Sequence, residues 1–131
     1  MIKKQFTLYL RNKPGELARV TRLLAKARLN IEGVSASGSA DIGLMQIVVS
    51  NASAARKVLT KAAIPFVAQD VLLVPLRNEP GALARVAENI ARRGININYV
   101  YATACGCGRD CRCYAIISAP DLKQAAAACA E

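Results

Sequence analysis

The sequence predicts an α+β protein built of two βαββαβ repeats, the second lacking its final strand, and three observations carry that prediction. Arg11-Asn12-Lys13-Pro14-Gly15-Glu16-Leu17-Ala18-Arg19-Val20 returns, from position 77, as Arg77-Asn78-Glu79-Pro80-Gly81-Ala82-Leu83-Ala84-Arg85-Val86, identical at eight of ten positions. The residues downstream of the two copies also match: Asn30-Ile31 against Asn96-Ile97, Val34 against Val100 and Ala36 against Ala102. The repeat is therefore a whole structural module rather than one reused loop. Third, strand-like and helix-like periodicities succeed one another in the same order in both copies.

In the first repeat Phe6, Leu8 and Leu10 alternate with Gln5, Thr7 and Tyr9, the period of two that marks a half-buried strand. Asn12 to Gly15 breaks it. From Glu16 to about Arg28 the apolar Leu17, Val20, Leu24 and Ala27 recur at three- and four-residue steps, with Arg19, Arg22 and Lys26 on the other side, as an amphipathic helix requires. A strand comes next, from Asn30 to about Ser37. The small, polar, glycine-containing stretch Gly38 to Gly43 reads as a hairpin loop into a third strand, Leu44 to Ser50, where Ile47, Val48 and Val49 favour extended backbone. Asn51 to Ala63, rich in alanine, sets Ala55, Val58, Leu59 and Ala62 on one helical side. Ile64 to Leu76 is extended and apolar, and is expected to hold the last strand of the first repeat and the first of the second without a flexible linker.

The second repeat takes the same course: a turn at Asn78 to Gly81, a helix Ala82 to Arg93, strands Ile95 to about Cys105 and Cys111 to Ser118, and a helix Pro120 to Ala130. The expected domains are 1–69 and 70–131, the latter short of a fourth strand. That strand would have paired beside Val71 to Leu76, an apolar segment in which Pro75 removes one donor, so a bare edge is expected there. A second copy of the chain covering it would give a homo-oligomer.

Eighteen Lys and Arg against nine Asp and Glu give a formal charge of +9, which favours anionic partners at long range without naming one. The longest apolar runs, Val71 to Leu76 and Ala125 to Ala130, fall far short of the roughly 18 residues that span a bilayer. The opening Met1 to Phe6 has no apolar stretch behind it of the kind a secretory signal carries. A cytoplasmic location without membrane attachment is expected. An enzyme is not: the chain has no histidine, which removes triads and histidine bases, and its carboxylates form no cluster suited to paired acid/base work. Nucleic acid is also disfavoured, because modules of this element order that bind RNA stack bases on sheet aromatics, and the third strands offer only Tyr114.

The segments Leu10 to Leu17 with Leu29-Asn30-Ile31, and Leu76 to Leu83 with Gly94 to Ile97, resemble ACT domains, ferredoxin-like βαββαβ modules that bind amino acids and regulate metabolic enzymes. The resemblance covers nearly the whole chain. It implies a regulatory protein whose ligand, a free amino acid, sits between this loop and a neighbouring module, with Asn12, Gly15 and Leu17, and Asn78, Gly81 and Leu83, as contacts. The physical chemistry agrees. Gly15 and Gly81 allow close backbone approach, the amides and positive dipole end of the adjoining helix favour a carboxylate, and the asparagines offer a carbonyl or an amide. Alternatively the Pro-Gly pair only shapes a strand-to-helix turn and the asparagine caps it.

The missing strand departs from that pattern, and so does Cys105-Gly106-Cys107-Gly108-Arg109-Asp110-Cys111-Arg112-Cys113. If Gly108 to Asp110 forms the turn, Cys107 faces Cys111 and Cys105 faces Cys113, all on one face. Opposed Cβ atoms about 4.5 to 5.5 Å apart suit disulfides or joint ligation of a soft metal. The spacing C-x-C is not that of the usual zinc knuckle, and a reducing compartment keeps such thiols free. A soft metal held by Cys105, Cys107, Cys111 and Cys113, a redox sensor, and an inert hairpin therefore all stay open, and no other cofactor is expected.

Overall fold

The structure, a computed structural model, describes residues 1–103 and 112–130. They form two compact units, one of Lys4–Gln69, the other of Met1–Lys3 together with Asp70–Glu131. The elements are β1 (Ile2–Arg11), α1 (Glu16–Lys26), β2 (Ile31–Ser39), β3 (Ile42–Val49), α2 (Ala52–Lys61), β4 (Phe66–Arg77), α3 (Ala82–Arg92), β5 (Tyr99–Ala102), β6 (Arg112–Ser118) and α4 (Leu122–Cys129). The α+β class and the βαββαβ order are those expected from the sequence.

In the first unit β3 lies between β2 and β1, antiparallel to both, with Phe6 opposite Ile47, Leu8 opposite Met45 and Leu10 opposite Gly43. Phe6 and Leu8 of β1 are buried completely, along with Val20 and Leu24 of α1 and Leu59 of α2. The alternating Gln5 and Thr7 are buried too, Gln5 Nε2 donating to Thr7 Oγ1 at 3.0 Å, so β1 is not the half-buried strand expected. Burying side chains of this size stabilises by about 1.5 to 3 kcal/mol each. Phe6 meets Phe66 edge to face at 5.5 Å, and the Arg56 guanidinium of α2 lies 5.8 and 5.5 Å from the two ring centres.

Several boundaries differ from the sequence expectation, each for a local reason. The helices expected to reach Arg28, Ala63 and Arg93 stop at Lys26, Lys61 and Arg92, because a left-handed residue closes each one: Arg28 (φ 58°), Ala63 (φ 55°) and Gly94 (φ 70°). The next amide then donates back five residues, Leu29 N to Leu24 O, Ile64 N to Leu59 O and Ile95 N to Ile90 O, the closure that satisfies orphan carbonyls. That closure also takes up Ile95, so the strand expected from Ile95 appears only at Tyr99–Ala102. The loop expected over Gly38 to Gly43 is tighter than foreseen: Gly38 pairs with Gly43 and Ser39 with Ile42, leaving Ala40-Asp41 as the turn, with Ala40 at φ 52° in the manner of short hairpins. The run expected to hold two strands is one, Phe66–Arg77.

In the second unit β6 lies between β4 and β5, with Leu72 opposite Ile117, Val74 opposite Ala115 and Tyr101 opposite Ile116. Leu72, Val74, Val86, Ile90, Ala115, Ile117, Ala125 and Ala128 form its core. Among the described residues no strand comes after α4. The β4 edge opposite β6 is not bare at Leu73, however. Leu73 N donates to Met1 O at 2.8 Å and the Met1 nitrogen donates to Leu73 O at 3.2 Å, so the chain's own first residue satisfies both backbone groups that a partner strand was expected to meet. No helix among the described residues is long and apolar enough to cross a membrane.

Candidate functional site

The loop between β1 and α1 is built by its sequence in three steps. Arg11 ends the ladder opposite Ile42. Asn12 then ties the loop to the β2–β3 turn, its backbone amide donating to Asp41 O at 2.8 Å and its Nδ2 to Ala40 O at 2.9 Å. Asn12 is thus a strut for the hairpin and does not cap the helix. The N-cap is Gly15, at φ 90° and without a side-chain bond, a backbone conformation that costs an L-residue about 1–2 kcal/mol. The first bond of the helical pattern runs from Arg19 N to Gly15 O. Glu16 N donates back to Lys13 O at 3.5 Å, and the helix end with its dipole favours negative charge.

A cavity of about 240 Å³ opens beside this loop, lined by Leu10, Arg11, Asn12, Lys13, Glu16, Leu17, Gly38, Gly43 and Met45 among others. Leu17, 52% exposed, is a large apolar side chain on its rim. Glu16 sits at the first helical position and receives Arg19 Nη2 at 2.9 Å and Nε at 3.3 Å. Those hydrogen bonds, with the nearby charges of Arg19, Lys13 and Arg11, outweigh partial burial and hold its carboxyl below the usual carboxylate range. The pocket therefore has charge of both signs against an apolar floor. A broader cleft of about 780 Å³ on the other side of the loop shares Arg11, Lys13 and Glu16 and adds Arg19, Asp41 and Pro65.

The second copy repeats the backbone closely. Gly81 is the N-cap of α3 at φ 89°, and Arg85 N donates to Gly81 O at 3.0 Å as Arg19 does to Gly15. Leu83 is 43% exposed, like Leu17. The two motif positions that differ between copies transpose an acid. Glu16 becomes Ala82, Lys13 becomes Glu79, and Arg85 Nη2 finds its carboxylate in Glu79 at 3.0 Å. An arginine paired with a glutamate is kept in both copies, from the helix start in the first and from the loop in the second.

Asn12 and Leu17 thus stand together on one cavity with Gly15 at the helix start beside it, and Asn78, Gly81 and Leu83 stand in the equivalent loop of the other unit. The sequence reading missed Lys13, Glu16, Gly38, Gly43 and Met45. The signal for Lys13 and Glu16 was present, since they are the two positions at which the ten-residue copies disagree.

Of the cysteine hairpin, Cys105, Cys107 and Cys111 lie outside the described residues. Cys113 is a free thiol, 4% exposed, opposite Leu76 on β4. Cys129 is also free, and burial pushes its thiol pKa up. Among the described residues no three His, Cys, Asp or Glu side chains stand together as a metal group. The expected facing of Cys105 with Cys113 and of Cys107 with Cys111 therefore lies outside the described residues, and the ladder beside it sets Ala102 opposite Ala115 and continues with Thr103 N donating to Tyr114 O at 2.9 Å. A tyrosine pair also escaped the sequence reading: Tyr99 and Tyr101 of β5 stack with ring centres 6.4 Å apart.

A family model described as an ACT domain pair matches residues 1–111, and the chain belongs to that family. Among solved structures, a Bacteroides thetaiotaomicron protein matches with a TM-score of 0.87 and 29% identity, over 98% of this chain and 86% of its own. The ligand-free regulatory subunit of aspartate kinase from Thermus thermophilus matches at 0.71 and 22% identity, over 96% of this chain and 87% of its own. The regulatory subunit of aspartate kinase from Thermus flavus matches at 0.61 and 19% identity, over 98% and 93%. No curated protein sequence matches the chain.

Proposed function

We propose that the chain is a non-catalytic regulatory protein that binds a free amino acid at the strand-to-helix loop its repeats share, with Asn12, Gly15 and Leu17, or their counterparts Asn78, Gly81 and Leu83, as candidate contacts. The observation that carries this reading is the cavity at the first loop. It brings the positive end of α1, Lys13 and Arg11 for a carboxylate, Glu16 for an ammonium, and Leu10, Leu17 and Met45 for an aliphatic side chain within one space of about 240 Å³. Charge of both signs over an apolar floor complements a zwitterion with a short side chain. Membership of the ACT domain pair family, and the regulatory subunits among its structural relatives, support the same reading. Isothermal titration against the twenty amino acids tests it. One amino acid or a chemically related few should bind with micromolar to millimolar affinity, and silence from all twenty at millimolar concentration would refute it.

A homo-oligomer is the proposed assembly, through a surface other than the β4 edge that Met1 meets at Leu73. Light scattering in reducing buffer at tens of micromolar decides this, a monomer counting against it.

A further inference from the structure

The two loops are walled differently, and the difference falls on the strand opposite. Leu10 and Leu76 are equivalent positions of the repeat; Leu10 stands opposite Gly43 on β3, and Leu76 opposite Cys113 on β6. Cys113 therefore occupies the place of Gly43. Along β6 it alternates with Ala115 and Ile117, both in the core of that unit, so the thiol lies on their face, and it is 4% exposed.

Gly43, by contrast, adds no side chain and lines the cavity of the first unit. Backbone geometry does not demand glycine there. A Cβ at position 43 would meet Leu10 O at 3.7 Å, Arg11 O at 3.8 Å and Asn12 Cα at 3.9 Å, all ordinary contacts. What glycine leaves is space. The charges diverge in the same direction: Lys13 and Glu16 flank the first cavity, while the second copy has Glu79 and the buried Ala82 in their places.

From these differences we infer that the chain binds one amino acid, in its first repeat, with Gly43, Lys13 and Glu16 as the residues that select the ligand and the Cys113 thiol filling the corresponding space in the second repeat. The inference rests on the amino-acid reading above and assigns the paired loops different tasks. The ligand ammonium meets Glu16 and its carboxylate meets Lys13 and the α1 amides. The second loop keeps the backbone, with the Cys113 thiol standing where Gly43 leaves space in the first.

Calorimetry with the amino acid that binds should give a stoichiometry of one per chain. Gly43→Cys should weaken it tenfold or more, Gly43→Ala less, and Cys113→Ala should leave the affinity of that site unchanged. Two equivalent sites per chain, or full affinity in Gly43→Cys, would overturn the inference. A readout that needs no ligand separates its failure from that of the amino-acid reading. With all cysteines but Cys113 replaced by alanine, the remaining thiol should react with Ellman's reagent at least a hundredfold more slowly than the thiol introduced by Gly43→Cys into a chain with all five native cysteines replaced. Equal rates would sink the asymmetry whatever binds. Unequal rates with no amino acid bound would uphold the asymmetry and remove the amino-acid reading alone.

Discussion

Replacing Gly38 by alanine tests whether the wall of the cavity is held by Asn12. A Cβ built on Gly38 comes within 2.5 Å of Asn12 Oδ1, 2.7 Å of its Cγ and 2.8 Å of its Nδ2, so the two side chains cannot share the space. Asn12 is exposed and can swing away, which limits the damage to its own bond, Nδ2 to Ala40 O. Loss of such a bond costs about 0.5–1.5 kcal/mol. Against that, alanine at an extended position without positive φ stabilises by about 0.4–1 kcal/mol through the unfolded state. Gly38→Ala alone should therefore lie between about 0.5 kcal/mol stabilising and about 1 kcal/mol destabilising. In an Asn12→Ala background the clash has no partner, and the same change should stabilise. Urea denaturation of the wild type, both single variants and the double variant gives the coupling, expected near 1 kcal/mol. Additivity within about 0.3 kcal/mol, the tolerance for independent sites, would mean that Asn12 does not brace the hairpin.

Gly15→Ala and Gly81→Ala should each cost about 1–2 kcal/mol, because both residues sit near φ 90°. An alanine Cβ meets nothing within 4 Å at Gly15 and only the movable Arg85 guanidinium at 3.6 Å at Gly81, so the two losses should be equal by thermal or urea unfolding; a much larger loss at Gly81 would point to packing instead. Glu16 titrates below its ordinary value in the folded chain, so its contribution is present above the unfolded carboxylate pKa, about 4.3, and fades as pH falls through the lower folded value. Glu16→Gln should accordingly flatten the acid limb of stability below about pH 4.3, and an unchanged limb would count against the Arg19 pairing. Arg56→Ala should destabilise by about 0.5–1 kcal/mol through loss of its contacts with the Phe6 and Phe66 rings, whereas Arg56→Lys should recover part of it; no change in unfolding midpoint would refute that role.

Much of the architecture was legible because the signals were duplicated. Alternation in β1, the helical step of Leu17, Val20 and Leu24, and the repeated Pro-Gly named the elements and their order. Boundaries were less legible, since Arg28 and Ala63 take left-handed backbone with no glycine to announce it. The cysteine pairing expected about Arg109 falls on residues outside those described, while the β5–β6 ladder beside it sets Ala102 opposite Ala115. The candidate site was half legible. Asn12, Gly15 and Leu17 lie within one motif, but Gly43 and Met45 reach the same cavity only through antiparallel pairing, which the loop sequence cannot specify.

The bond pair between Met1 and Leu73 bears on how the molecule reaches its native state. The unit containing it is discontinuous in sequence, its outer segment and its β4 segment separated by 72 positions, with the whole of Lys4–Gln69 intervening. Closing a loop of that length instead of one of about ten residues costs roughly 2 kcal/mol more in chain entropy. Met1 thus meets Leu73 only through that long closure, whereas the contacts within Lys4–Gln69 close shorter loops and have the head start. A cut after Gln69 would divide the sequence at a natural boundary of the repeat, yet it would deprive residues 70–131 of the Met1 backbone that bonds Leu73.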